Sequence, residues 1–113
     1  MNDTKEVKYK IYQLSNLQDK EQCRVAFKDW SDVKSKFNKD YYEEVYSGSI
    51  ESDLDVNVDE CTAEILELIY SKFNANKPKD YKGRNLSTSD LVELNGKTYY
   101  CAWVGWVDIT KYM

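Results

Sequence analysis

Histidine is absent from the 113 residues, and proline occurs only once. Without histidine, the Ser-His-Asp and Cys-His devices for activating a nucleophile are excluded. Cysteine is sparse: Cys23, Cys61 and Cys101 stand far apart with no C-x-x-C pair, so no zinc site is expected. An odd, scattered set of thiols suits a reducing compartment, not a disulfide framework. Cys61 and Cys101 are expected in the core, where a free thiol packs as a small hydrophobe. There is no Walker loop, no G-x-G-x-x-G and no H-E-x-x-H. The opening MNDTKEVKYK has no apolar signal core, and the longest apolar stretch, Tyr99 to Val107, is too short to span a bilayer. The expectation is therefore a cytoplasmic chain with no metal, no cofactor and no membrane contact. Carboxylates are plentiful but singled out by no pairing, and no catalytic residue is assigned.

Hydrophobic residues make up 42% of the chain and charged residues 32%, which fits an ordered globule and not a disordered tract. The length accommodates one domain, residues 1–113, able to bury a core without staples. Ten tyrosines and three tryptophans stand out. Tyrosine favours sheet and contact surfaces because it buries a ring while keeping a wet hydroxyl.

The patterning predicts an α+β fold. Val7, Tyr9, Ile11 and Gln13 alternate with Lys8, Lys10, Tyr12 and Leu14, a first strand. Ser15 to Glu21 reads as a loop, and Cys23 to Phe27 as a second short strand. Trp30, Val33 and Phe37 suggest a short helix over about 29–37. Tyr41 to Ile50 is rich in aromatic and β-branched residues, so it reads as a strand, with Gly48 marking a turn or bulge. Glu51 to Val58 is an acidic connector. The main helix is placed at about 59–74, with Asp59 as its N-cap and a stripe of Cys61, Ile65, Leu68, Ile69 and Phe73. Asn95-Gly96 between alternating runs predicts a two-residue hairpin turn, pairing Leu94 with Lys97 and Val92 with Tyr99. Val92, Leu94, Tyr99, Cys101 and Trp103 should then face the helix. The whole is a small antiparallel sheet of about four to five strands covered by one main helix and a short one. Trp30 and Trp103 are assigned to the core.

Charge is unevenly placed. Asp40 to Ser71 holds ten acidic residues and no basic one, while residues 1–39 and 72–113 each carry +3. Two readings stay open: a solvated acidic face, or a surface that docks a basic partner. Lys77, Lys79, Lys82 and Arg84 around Tyr81 form a basic patch, as do Lys34, Lys36 and Lys39. Either could contact phosphates, although a pI near 4.9 opposes a polyanion.

The segment Pro78-Lys79-Asp80-Tyr81-Lys82-Gly83-Arg84-Asn85-Leu86-Ser87-Thr88-Ser89-Asp90-Leu91-Val92 resembles the signature of YodL-like domains, "P-x-D-Y-x-G-R-S-L-S-x-S-D-V-V". The "Y-Y-C-D-x-x-G-F" strand that follows in that family corresponds to Tyr99 to Trp106. Tyr9 to Leu14, Tyr42 to Gly48 and Leu68 to Asn74 also fit, so the resemblance spans nearly the whole chain. Ala102 stands where the family often has an acidic residue, Trp106 where it often has phenylalanine, and Asn85 where serine is usual. The resemblance implies a bacterial protein with no established enzymatic signature. It also implies the setting of plasmids, conjugative elements and phages, and with it a host-interaction or anti-defence factor.

The physical reading of that phrase leaves two roles open, a folding element or a binding loop. Ser87, Ser89 and Asp90 can bond nearby backbone, Gly83 can supply an unusual φ, and Arg84 can pair with Asp90 or the acidic middle. Taken together, the expected function is a non-catalytic protein-binding module. Its partner is a host or element-encoded protein with a basic contact surface. The candidate contacts are Glu43, Glu44, Asp53, Asp55, Tyr81, Arg84 and Trp106. The alternative is a nucleic-acid-associated factor using the Lys77–Arg84 patch.

Overall fold

A computed structural model describes residues 4–53, 62–75, 77–81 and 83–113. Strand β1 (Thr4–Leu14) is followed by two single-turn helices, α1 (Lys20–Cys23) and α2 (Trp30–Val33). Strand β2 (Tyr42–Asp53), helix α3 (Thr62–Ala75) and strands β3 (Leu91–Leu94), β4 (Lys97–Cys101) and β5 (Trp106–Asp108) complete the fold. The five strands form one antiparallel sheet in the order β2-β1-β3-β4-β5, so the α+β expectation holds.

The hairpin has the register its turn residues dictate: Leu94 pairs with Lys97 and Val92 with Tyr99. Asn95 and Gly96 both take positive φ, +52° and +80°, as a two-residue turn between right-twisted strands requires. A side chain at Gly96 would meet open space, so Gly96→Val tests the backbone alone. It should cost about 1–2 kcal/mol through the left-handed conformation, read from urea denaturation. An unchanged midpoint would reject the turn.

Helix α3 crosses one face of the sheet. Ile65, Leu66, Ile69 and Phe73 are buried against Val7, Tyr9, Ile11, Val92 and Leu94. These four helix positions fall in one arc about 100° wide. Leu68 lies outside that arc and is 60% exposed, which corrects the expected stripe: Leu66 takes its place. Cys61 and Asp59 lie outside the described residues.

The opposite face is also covered. Leu14, Leu91, Tyr100 and Ala102 pack with Val25, Trp30, Val33 and Ile109 in a second core. The segment expected as a strand at Cys23 to Phe27 is instead the end of α1 and a turn belonging to this layer. Asp19 accepts from Gln22 N as an N-cap, and Gln22 reaches back to Ser15 Oγ at 3.0 Å and Asn16 N at 2.7 Å. These local bonds turn the chain before it can extend. Helix α2 ends at Val33, short of the expected 37, and Asp29 at its N-cap makes no capping bond; its carboxylate accepts from Ser31 Oγ and Trp103 N instead.

Gly48 is neither turn nor bulge; it pairs in register with Tyr9. A Cβ there would lie 2.9 Å from Tyr9 Oη and 3.0 Å from the Tyr46 ring, so its role is to admit those rings. The irregularity falls instead where Ile11 faces Tyr46 and Tyr12 faces Glu44, leaving Val45 as the extra residue.

Candidate functional site

The signature loop is anchored by a buried carboxylate. Asp90, 1% exposed, accepts on Oδ2 from Ser87 N at 2.9 Å and from Gln13 Nε2 at 3.0 Å. The Gln13 amide also accepts from Arg84 N through Oε1 at 3.0 Å and donates to Arg84 O at 3.0 Å. Tyr81 Oη donates to the same carbonyl. Gly83 fits because of close approach, not φ: a Cβ would come within 2.6 Å of Tyr81 Oη and 2.7 Å of Gln13 Oε1. The Arg84 guanidinium stands 4.0 Å from Asp90 Oδ1 and is partly exposed, too distant to offset burial fully. Desolvation dominates, and the Asp90 carboxyl is pushed up to about 6.

The same loop props up a second structure on the far side of the sheet. Ser89 N donates to Cys101 O and Cys101 N donates to Asp90 O, both at 2.9 Å. Ser89 takes φ +84°, and its Oγ accepts from Phe27 N at 3.0 Å. Phe27 is itself at φ +59°, an outlier for a bulky residue, and its ring is 52% exposed. The Phe27 carbonyl accepts from Trp103 Nε1 at 3.1 Å, and Trp103 N donates to Asp29 Oδ1 at 3.0 Å. That last bond is the main cause holding the Asp29 carboxyl below its ordinary range. Trp103 is 64% and Val104 92% exposed, so the predicted core position of Trp103 is corrected. Strand β4 ends at Cys101, and Gly105 at φ +73° turns the chain back into β5, with Ala102 N donating to its carbonyl at 3.1 Å. The result is an apolar knuckle of Phe27, Trp103 and Val104, tied down by hydrogen bonds at its base.

Against known families, the chain matches the YodL-like domain over residues 8–112. This chain belongs to the YodL-like domain family. No curated protein and no solved structure matches it.

In this YodL-like domain the residues expected to make contacts do not converge. Glu43 and Glu44 are exposed on β2, with Glu44 3.7 Å from Lys10 Nζ. They share a shallow cleft of about 310 Å³ with Arg84 and Gly83. Asp53 is the last residue of β2, opposite Thr4, and Asp55 lies outside the described residues. Tyr81 is a core residue, its ring edge-on to Phe73 at 4.8 Å and to Tyr46 at 5.8 Å, so it offers little to a partner. Trp106 is half-buried, edge-on to Tyr70 at 6.4 Å. Among the basic residues, Lys77 Nζ donates to Asn85 Oδ1 at 2.7 Å, and Lys82 lies outside the described residues.

A concavity of about 900 Å³ in the YodL-like domain opens along Val7–Lys10, Ser47–Ser49 and the Asn95-Gly96 turn. Its charged lining is Lys8, Lys10 and Glu93. Among the described residues no cluster of acidic residues, cysteine or histidine could hold a metal, and no helix is long and apolar enough to cross a membrane.

Proposed function

We propose that this YodL-like domain is a non-catalytic protein-binding module whose contact is the Phe27–Trp103–Val104 knuckle. The observation that carries this reading is the exposure of Phe27, at positive φ, beside an exposed Trp103, both hydrogen-bonded in place. Strained positions persist where the surrounding structure over-determines them, and they gather at functional sites. Tryptophan is favoured at interface hot spots, and rigid presentation lowers the ordering cost of binding.

Two further observations support a non-catalytic role. Burial pushes the Cys101 thiol up to about 12, which removes it as a nucleophile at neutral pH. The raised Asp90 carboxyl is spent on Ser87 N and Gln13 in the interior, a structural use of a perturbed group. The nucleic-acid alternative is less well supported, because Arg84 shares its cleft with Glu43 and Glu44 and faces Asp90. A polyanion would meet the Glu43 and Glu44 carboxylates there. The setting proposed for the module is a bacterial mobile element, in which it modulates a host or element-encoded protein; family resemblance supports that step, by association.

Trp103→Ala is the test. Proteins co-purifying with the tagged chain from its native cell should be quantified for both forms. A true partner should weaken by about 2 kcal/mol or more, roughly thirtyfold, while thermal unfolding changes little. Equal recovery with a folded variant would remove the knuckle from the interface.

A further inference from the structure

The two edges of the sheet differ sharply. Strand β5 has three residues, whereas β2 has twelve. Proteins ordinarily blunt an exposed edge by shortening it, or with lysine, proline or a bulge. The short β5 follows that rule. Strand β2 does not: it contains no lysine and no proline, and among the described residues no strand pairs with its outer side. Its bulge at Val45 and the exposed Glu43 and Glu44 lie toward one end and leave the middle of the strand unguarded. Beyond the bulge, Tyr46-Ser47-Gly48-Ser49-Ile50 is uncharged and regular in its pairing with β1. The acidic Glu51 and Asp53 follow in the same strand. The free edge is thus a neutral stretch between two pairs of acidic residues.

We infer that the outer edge of β2 is a docking strand for an extended segment of a partner protein carrying basic residues at both ends. Alternate residues of β2 turn their N–H and C=O groups away from β1. An added strand would satisfy them as a sixth member of the five-stranded sheet. Ser47, Gly48 and Ser49 are small, so their own side chains leave room for its approach, and the half-buried Tyr46 supplies a ring for a neighbouring side chain. Charge selects the occupant. A second copy pairing antiparallel about Gly48 would set Glu43 against Asp53, acid against acid, which disfavours self-association. Lysine or arginine at the ends of the incoming strand meets carboxylates instead. This inference concerns a surface separate from the aromatic knuckle and shares with that reading only the idea of protein recognition.

The test uses the whole chain and three synthetic peptides with an alternating Val-Thr core: one with a lysine pair at each end, one with glutamate pairs, and one lysine-flanked with proline in the core. Amide hydrogen exchange across Tyr46–Ile50 is the readout, with affinity from fluorescence titration. The lysine-flanked peptide should bind and slow exchange in that stretch; the glutamate and proline peptides should do neither. Glu43→Lys combined with Glu44→Lys should weaken the lysine peptide about tenfold, with folding checked by circular dichroism. Trp103→Ala should leave peptide binding unchanged, which separates this surface from the knuckle. Protection located elsewhere, equal binding of the glutamate peptide, no protection with any peptide, or a wild-type dimer protected along β2 would each overturn the inference.

Discussion

Phe73→Ala should lower the stability of the domain by about 3–5 kcal/mol, the range for deleting a fully buried aromatic ring. The side chain is inaccessible to solvent, and its ring meets Tyr9, Tyr46 and Tyr81 edge-on at 6.0, 5.3 and 4.8 Å. Removing it leaves a hole bordered by three rigid rings that cannot collapse into it easily. It also frees the C-terminal turn of α3 from the β1–β2 pair. The control is Leu68→Ala, on the solvent side of the same helix, which should stay within roughly 0.5 kcal/mol of wild type. Equilibrium urea denaturation of both variants decides the helix face. A near-neutral Phe73→Ala beside a costly Leu68→Ala would mean that α3 is rotated.

Asp90 carries the second large effect. Asp90→Ala strips the acceptor from Gln13 Nε2 and Ser87 N, and each buried donor left unpaired costs about 1–3 kcal/mol. A loss of about 2–5 kcal/mol follows from the two together. Asp90 also makes stability depend on pH. Its folded pKa of about 6 lies above an unfolded value near 3.9, so between those values the folded state holds more protons. Stability due to this group therefore rises as pH falls from neutral through 6, and levels off near 4. The increment approaches about 3 kcal/mol at most. The lowered carboxyls of Asp29 and Asp108 act with opposite sign. Theirs is stability present above the ordinary carboxylate range and lost as the pH falls through it, equally in wild type and Asp90→Asn. Comparing urea midpoints at pH 7 and pH 5 for wild type and Asp90→Asn isolates the effect. Only wild type should gain at the lower pH, and an identical response in both would reject the raised carboxyl.

How much of this was legible depended on whether the signal was local. Asn95-Gly96 specifies its own turn, so the register of β3 and β4 followed without further information. Helix α3 was evident, but its face was ambiguous. Ile65, Ile69 and Phe73 belong to either stripe, and the choice between Leu66 and Leu68 is made by the sheet beneath. The second core layer was missed because the alternation was read for one covered face alone, that of Val92, Leu94, Tyr99, Cys101 and Trp103. The adjacent apolar pair Leu91-Val92 was the available sign that β3 is covered on both sides. Trp103 was misplaced by carrying the alternation of β4 past its end, where Gly105 already marked a turn. Phe27 had no local signal at all, since the partner of its backbone N–H at positive φ is the distant Ser89 Oγ. The candidate site accordingly emerged from tertiary contacts, whereas Glu43, Glu44, Arg84 and Trp106 were read from residue type alone.

The position of β1 between β2 and β3 sets the order in which the protein can be built. As the chain leaves the ribosome, β1 can zip only with β2; its other neighbour, β3, is made after α3 and the signature loop, and Tyr9 must wait for Leu94. The entropy of closing so long a loop is spent before the pairing that rewards it. Assembly is therefore nonlocal and late, and until it occurs one flank of the first-made strand stays open to wrong partners.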